Sequence, residues 1–160
     1  MSEKQHDEKP KQLILENFFP YRLSVLAQDV SQSVAEIYTG RFQLRRAEWR
    51  VVAALGQHQP MSAKSITAHT CMDKMPVSRA ITVLKERGLV AQEVDSRDRR
   101  YSQLSLTEEG MALYEEIVPG VLEREQALLS EFSEEELNLL EQIIEKLHDR
   151  TEALQAADED

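Results

Sequence analysis

The stretch that most constrains this chain runs from Met72 to Leu106. Lys74 to Arg87 carries apolar residues at Val77, Ala80, Ile81 and Leu84, the spacing of one buried helical face. Asp73 is placed to cap that helix and Gly88 to stop it. Leu89 to Val94 and Tyr101 to Leu106 can then pair as short strands. The loop between them, Asp95-Ser96-Arg97-Asp98-Arg99-Arg100, is longer and more charged than a plain hairpin needs. A helix followed at once by a small hairpin with an arginine-rich tip suits a duplex: the helix can enter a major groove while the tip reaches a minor groove.

The elements before and after this stretch give it a setting. Leu23, Leu26, Val30, Val34 and Ile37 form one stripe on a first helix, which starts near Asn17 and Pro20 and ends near Gly40. A second helix fits Arg45 to Leu55, with Trp49, Val52 and Leu55 inward and Gly56 as its stop. Ser62 caps a third, short helix through about His69, and a tight turn at Thr70–Met72 leads into the Lys74 helix. Two short helices joined this way make a helix-turn-helix. Thr107, with Glu108 and Glu109, opens a fifth helix that should bend or divide at Pro119-Gly120 and end near Phe132. Ser133 and Glu136 form a capping box for a sixth helix, whose Leu137, Leu140, Ile144, Leu147 and Leu154 recur at coiled-coil-like spacing. The tail from Gln155 to Asp160 should fray, and Met1 to about Gln12 reads as a disordered arm. The fold class is therefore mainly α with a small β-wing.

Charge is unevenly spread. The net charge of -10 argues against nucleic acid at first, but residues 1–106 carry a balance of +4 and residues 107–160 one of -14. Local potential steers a polyanion, so an acidic half held away from DNA is compatible with binding. No stretch approaches the roughly 20 apolar residues of a membrane span, and the polar N-terminus lacks a signal-peptide core, so a cytoplasmic protein is expected, with no membrane partner. The four histidines show no ligand spacing, and neither a metal nor a cofactor is expected. No nucleophile elbow, phosphate loop or carboxylate pair marks an enzyme. The lone cysteine, Cys71, reads as a buried small hydrophobe rather than a thiol sensor.

On the exposed side of the Lys74 helix, Lys74, Pro76, Ser78, Arg79, Thr82 and Lys85 are candidate DNA contacts. Arginine can bond a guanine edge twice, and Ser78 and Thr82 can bond a base or a phosphate. The plainer alternative is a solvated amphipathic helix. In the loop, Arg97, Asp98, Arg99 and Arg100 are candidates too, with Asp98 placed to hold a neighbouring arginine extended; the plainer alternative is a mixed-charge solvated turn. Six of the nine aromatics fall within the first 49 residues, interleaved with arginines. Aromatic walls with a guanidinium fork suit a small aromatic carboxylate, which makes Tyr21, Arg22, Tyr38, Arg46 and Trp49 candidate ligand residues; they can equally be core and ion pairs. The apolar stripes of the first and sixth helices exceed what one small lobe can cover. They can pack on each other, or build a dimer.

The Val77-Ser78-Arg79-Ala80-Ile81 helix, Arg87-Gly88-Leu89-Val90, the Asp98-Arg99-Arg100 wing and the exit Leu104-Ser105-Leu106-Thr107-Glu108-Glu109-Gly110 together resemble the MarR family of winged helix-turn-helix regulators. The resemblance spans about Phe18 to Leu147. It implies one domain over 1–160, with 13–40 and 107–154 as a helical dimerisation lobe and 45–106 as the winged helix-turn-helix DNA-binding lobe. It further implies a homodimer on a pseudo-palindromic double-stranded operator, with Arg79 as the recognition-helix arginine and Arg100 with Asp98 as the wing pair. It also implies a small aromatic ligand, an aromatic acid, phenolic compound or CoA thioester, bound beside the first and second helices. The expected function is a ligand-responsive transcriptional repressor. The competing expectation is a dimeric helical adaptor that grips an acidic protein without sequence-specific DNA binding.

Overall fold

Among the described residues six α-helices and one hairpin follow each other in the order α1–α4, β1, β2, α5, α6. The computed structural model describes residues 12–94 and 102–158. After a single 3-10 turn at Leu15–Asn17 come α1 (Phe19–Thr39), α2 (Arg46–Gln57), α3 (Ala63–Thr70) and α4 (Lys74–Glu86). The strands β1 (Val90–Val94) and β2 (Ser102–Leu106) pair antiparallel, with Val90 opposite Leu106 and Val94 opposite Ser102. The long helices α5 (Glu108–Leu129) and α6 (Glu134–Asp158) close the chain.

The local signals explain most boundaries. Ser62 Oγ accepts from the Ser65 N–H at 3.0 Å and heads α3. Thr107 Oγ1 accepts from the Gly110 N–H at 3.0 Å and heads α5. Ser133 and Glu136 exchange side-chain bonds with each other's backbone N–H groups at 3.2 and 2.8 Å, the reciprocal box that opens α6. Asp73 occupies the N-cap of α4 but makes no capping bond with its side chain. Gly88, at φ 71, supplies the left-handed residue that turns α4 into β1.

One apolar core joins α2, α3, α4 and the hairpin to the end of α1 and the middle of α5. Val51, Val52, Leu55, Ile66, Val77, Leu84, Leu104 and Ile117 are all buried within it. Met61 adds to the sheet by bridging Leu104, with backbone bonds of 3.0 and 2.8 Å in the two directions. So β2 is paired on both of its edges where the sequence suggests a plain two-stranded ribbon.

Four expectations need correction. Gly56 does not stop α2; it lies inside that helix, and a Cβ there would meet the Tyr114 ring at 2.6 Å, so the glycine makes room for an aromatic. Pro119 does not divide α5, which continues to Leu129. A proline inside a helix removes one hydrogen bond, but Ile117 is fully buried beside it and Gly120 lies against α1. Arg124 also donates to the Ser33 carbonyl at 3.0 Å, so packing on α1 carries the helix through. Cys71 is exposed rather than buried, and holds the left-handed C-cap of α3 at φ 50. The tail is helical to Asp158, with Ala156 and Ala157 as good helix formers at its end. The N-terminal arm, residues 1–11, lies outside the described residues.

Candidate nucleic-acid interface

The face of α4 opposite its buried side chains is open. Val77, Ala80, Ile81 and Leu84 anchor the helix against the core. This leaves Lys74, Pro76, Ser78, Arg79, Thr82 and Lys85 exposed, together with Met75. Pro76 sits in the first turn, where its missing N–H breaks no helical bond. The Thr82 hydroxyl donates back to the Ser78 carbonyl at 3.0 Å, which fixes its rotamer and leaves its lone pairs facing outward.

Beside α4 a cleft of about 530 Å³ runs between α3 and the hairpin, lined by Ser62, Lys64, Ser78, Thr82, Lys85, Gln92, Ser102 and Gln103 among others. Its polar groups are hydroxyls, amides and ammoniums, set among the apolar side chains of Ala63, Ile81 and Leu104. Lys85 is not a free cation here: it donates to the Gln92 side-chain oxygen, and the Gln92 amide donates in turn to Ser102 Oγ. This chain of bonds ties the last turn of α4 to both strands of the hairpin. Gln92, Ser102 and Lys64 are absent from the sequence-derived set. The pairing register, which sets Gln92 two residues from Ser102's partner, could have pointed to the first two. Arg97, Asp98, Arg99 and Arg100, the wing residues expected to contact DNA, lie outside the described residues.

The five residues proposed for a ligand separate into two groups. Tyr38 and Trp49 stack with ring centroids 5.4 Å apart, and Trp49 stacks in turn on Tyr114 at 6.2 Å. This three-ring pile sits where α1, α2 and α5 meet, with Tyr38 and Trp49 buried. Burial pushes the Tyr38 phenol above its ordinary value of 10.0, and the guanidinium groups of Arg46 and then Arg50 oppose that rise. Arg46 therefore belongs with Tyr38 and Trp49. Tyr21 and Arg22 are exposed in the first turn of α1, beside Val25, Leu26 and Asp29. Seventeen residues of helix separate Tyr21 from Tyr38, about 25 Å at 1.5 Å per residue. In one chain the two groups do not form one compact pocket. Tyr114, which the sequence did not single out, completes the aromatic pile; its signal is the glycine at position 56 that admits its ring.

Among the described residues no helix is long and apolar enough to cross a membrane. No group of three or more His, Cys, Asp or Glu among them could hold a metal ion.

Comparison with known proteins agrees with this geometry. Residues 42–100, which span α2 to the wing, match the MarR family. The chain is 30% identical to the HTH-type transcriptional regulator FarR of Neisseria gonorrhoeae, over 67% of this chain and 73% of that protein. It is 24% identical to the homoprotocatechuate degradative operon repressor of Escherichia coli, over 75% of this chain and 81% of that protein. The crystal structure of a MarR/EmrR family transcriptional regulator from Acinetobacter sp. ADP1 superposes with a TM-score of 0.79 at 28% identity, covering 88% of this chain and 99% of that one. The chain belongs to the MarR family of winged helix-turn-helix transcriptional regulators.

Proposed function

We propose that the chain is a homodimeric, ligand-responsive repressor acting in the cytoplasm on a pseudo-palindromic operator. The observation that carries this reading is the pairing of two open surfaces. One is the polar face of α4 around Arg79; the other is the apolar face that α1, α5 and α6 leave uncovered, where Leu26, Leu140, Ile144 and Leu154 are each at least 41% exposed. A cleft of about 590 Å³ lined by Leu26, Val30, Val34, Leu122, Leu128, Phe132 and Leu140 among others runs through that second surface. A second copy of the chain would cover it. Residues 13–40 and 107–154 then serve as the dimerisation lobe and 45–106 as the DNA-binding lobe. A two-fold axis sets the two α4 helices about one helical turn of DNA apart, roughly 34–36 Å.

On the duplex, Arg79 reads a base edge, with Ser78, Thr82, Lys74 and Pro76 beside it. Lys85 acts through its bond to the wing, and Arg97, Asp98, Arg99 and Arg100 serve the flanking minor groove and phosphates. For the ligand we favour a small aromatic acid, phenolic compound or CoA thioester held beside Tyr38, Arg46 and Trp49. Two observations support it: the aromatic pile flanked by guanidinium groups, and the relative named for repression of a homoprotocatechuate degradative operon. Tyr21 and Arg22, at the far end of α1, do not join that group in the same protomer. Such a ligand would favour a lobe spacing that no longer fits the operator, shifting an existing equilibrium.

The test is a mobility-shift titration on an operator selected from a random-sequence library by the wild-type protein. Arg79→Ala should weaken specific binding by about 5- to 160-fold, the range of one lost bidentate base contact, and keep the weaker non-specific binding. If the variant binds that operator as tightly and selectively as wild type, α4 is not the reading element.

A further inference from the structure

Two backbone joints connect α2 through β2 to the long helices, and both are pinned to the end of the reading helix. The second joint is the entry to α5. There the Thr107 N–H donates to the Leu89 carbonyl at 3.1 Å and Thr107 Oγ1 donates to the Gly88 carbonyl at 2.7 Å. Gly110 lies so close that a Cβ would come within 2.0 Å of Leu89 O. The first joint is the linker 40–45 between α1 and α2. Gln43 in it holds a left-handed conformation at φ 53. The Leu44 N–H donates back to the Tyr38 carbonyl at 3.0 Å, and Arg41 pairs with Glu116 of α5.

That linker is gripped by one side chain of the reading helix. Arg87, the C-cap of α4, donates from Nη1 to the Gln43 carbonyl at 3.1 Å and from Nη2 to the Phe42 carbonyl at 3.0 Å. A guanidinium is a rigid planar fork, so two bonds to adjacent carbonyls fix an angle as well as a distance. Arg87 is exposed, where hydrogen bonds add little net stability. Its geometric leverage is larger. Arg79 lies eight residues up the helix, about 12 Å away at 1.5 Å per residue. A tilt change of about 10° at Arg87 would therefore move it by about 2 Å, most of a hydrogen-bond length.

We infer that Arg87 is a positioning residue. It braces the α1–α2 linker against the end of the recognition helix and so sets the spacing and tilt of the two reading helices in the dimer, without touching DNA. The inference rests on the dimeric DNA-binding reading above.

The test measures spacing tolerance separately from base preference. Full-length wild type, Arg87→Met and Arg79→Ala are titrated on the selected operator and on copies with one base pair inserted or removed between the half-sites. One inserted pair rotates a half-site by about 35°, since a turn takes 10–10.5 base pairs, and wild type should lose at least about tenfold. Arg87→Met should lose less than about threefold on the same change yet keep wild-type discrimination against a mismatched half-site, about 5- to 160-fold per mismatched pair. Arg79→Ala should show the reverse pattern: relaxed base preference and retained spacing preference. Thermal unfolding of each variant confirms that it is folded, and Arg87→Lys, with one donor direction at a time, should be intermediate if Arg87→Met fails to fold or to bind. Wild-type spacing tolerance in Arg87→Met, or in Arg87→Lys when that variant must stand in, overturns the inference and leaves the function intact. A wild type indifferent to spacing overturns the dimeric reading and the inference with it.

Discussion

Helices α4 and α6 are both amphipathic, yet they meet opposite fates. The 13 residues of α4 bury four apolar side chains, Val77, Ala80, Ile81 and Leu84. The 25 residues of α6 bury none, although Leu140, Ile144, Leu147 and Leu154 recur along it at helical spacing. An apolar stripe states that a face must be covered; it does not say by what. For α4 the cover is α2, α3 and the hairpin of the same chain. For α6 no element among the described residues of the same chain buries the stripe, although most of a helix's stability in a protein comes from packing such a face.

The sharpest way to break this comparison is a pair of truncations. Leu84→Ala removes a fully buried side chain and should cost about 2–5 kcal/mol in urea unfolding. Ile144→Ala, on a residue 58% exposed in the single chain, should cost little if α6 is solvated in solution. If α6 packs on a second copy, the loss should instead depend on protein concentration, because dimer stability is inseparable from it. Sedimentation of Leu140→Asp with Ile144→Asp makes the same point more strongly. A charged pair there should yield monomers that have lost specific DNA binding, and an unchanged sedimentation coefficient with unchanged binding would refute the dimeric reading.

What could be read from the sequence divides along the same line. Boundaries governed by residues within one turn were legible: Ser62, Thr107 and Ser133 as N-caps, Gly88 as the left-handed stop, and the buried set of α4. What depended on contacts distant in sequence was not. Gly56 looks like a helix stop because nothing local reveals that Tyr114, 58 residues later, needs its space. Pro119 looks like a break because helix propensity is counted residue by residue, whereas the bonds from Arg124 to Ser33 and Glu36 of α1 span about 90 positions. Cys71 looks buried because free cysteines usually are, but the turn needed a left-handed residue there. The exposed face of α4 was legible; the brace from Arg87 to the α1–α2 linker, 44 and 45 residues away, was not.

A third prediction concerns the joint between the two regions. Tyr38 is buried in the aromatic pile, and burial raises its phenol above the ordinary 10.0. Above that pH the unfolded chain gives up the phenolic proton more readily than the folded one. The folded state is therefore favoured in full below about pH 10, and this contribution is lost as pH climbs toward the raised folded value. Wild type should lose urea resistance more steeply between about pH 9 and pH 11 than Tyr38→Phe does. Equal slopes for the two proteins would place the Tyr38 hydroxyl in solvent.

The smallest effect is also the most direct control on the comparison, because it holds the chemistry constant and changes only the region. Thr107 and Ser133 are both hydroxyl N-caps, each accepting from the N–H three residues on, at 3.0 and 3.2 Å. Removing such a cap costs about 0.5–2 kcal/mol. Thr107 also donates to the Gly88 carbonyl, so Thr107→Ala removes two bonds at the joint where α5 meets the end of α4. It should fall at the upper end of that range and lower operator affinity as well. Ser133→Ala removes a cap from a helix that buries nothing in its own chain. It should fall at the lower end, and it should appear as weaker association of the two copies, measured by dilution, before it appears as unfolding. If the two substitutions proved equal in both assays, α6 would be as well supported within one chain as α5, and the contrast drawn between the two regions would fail.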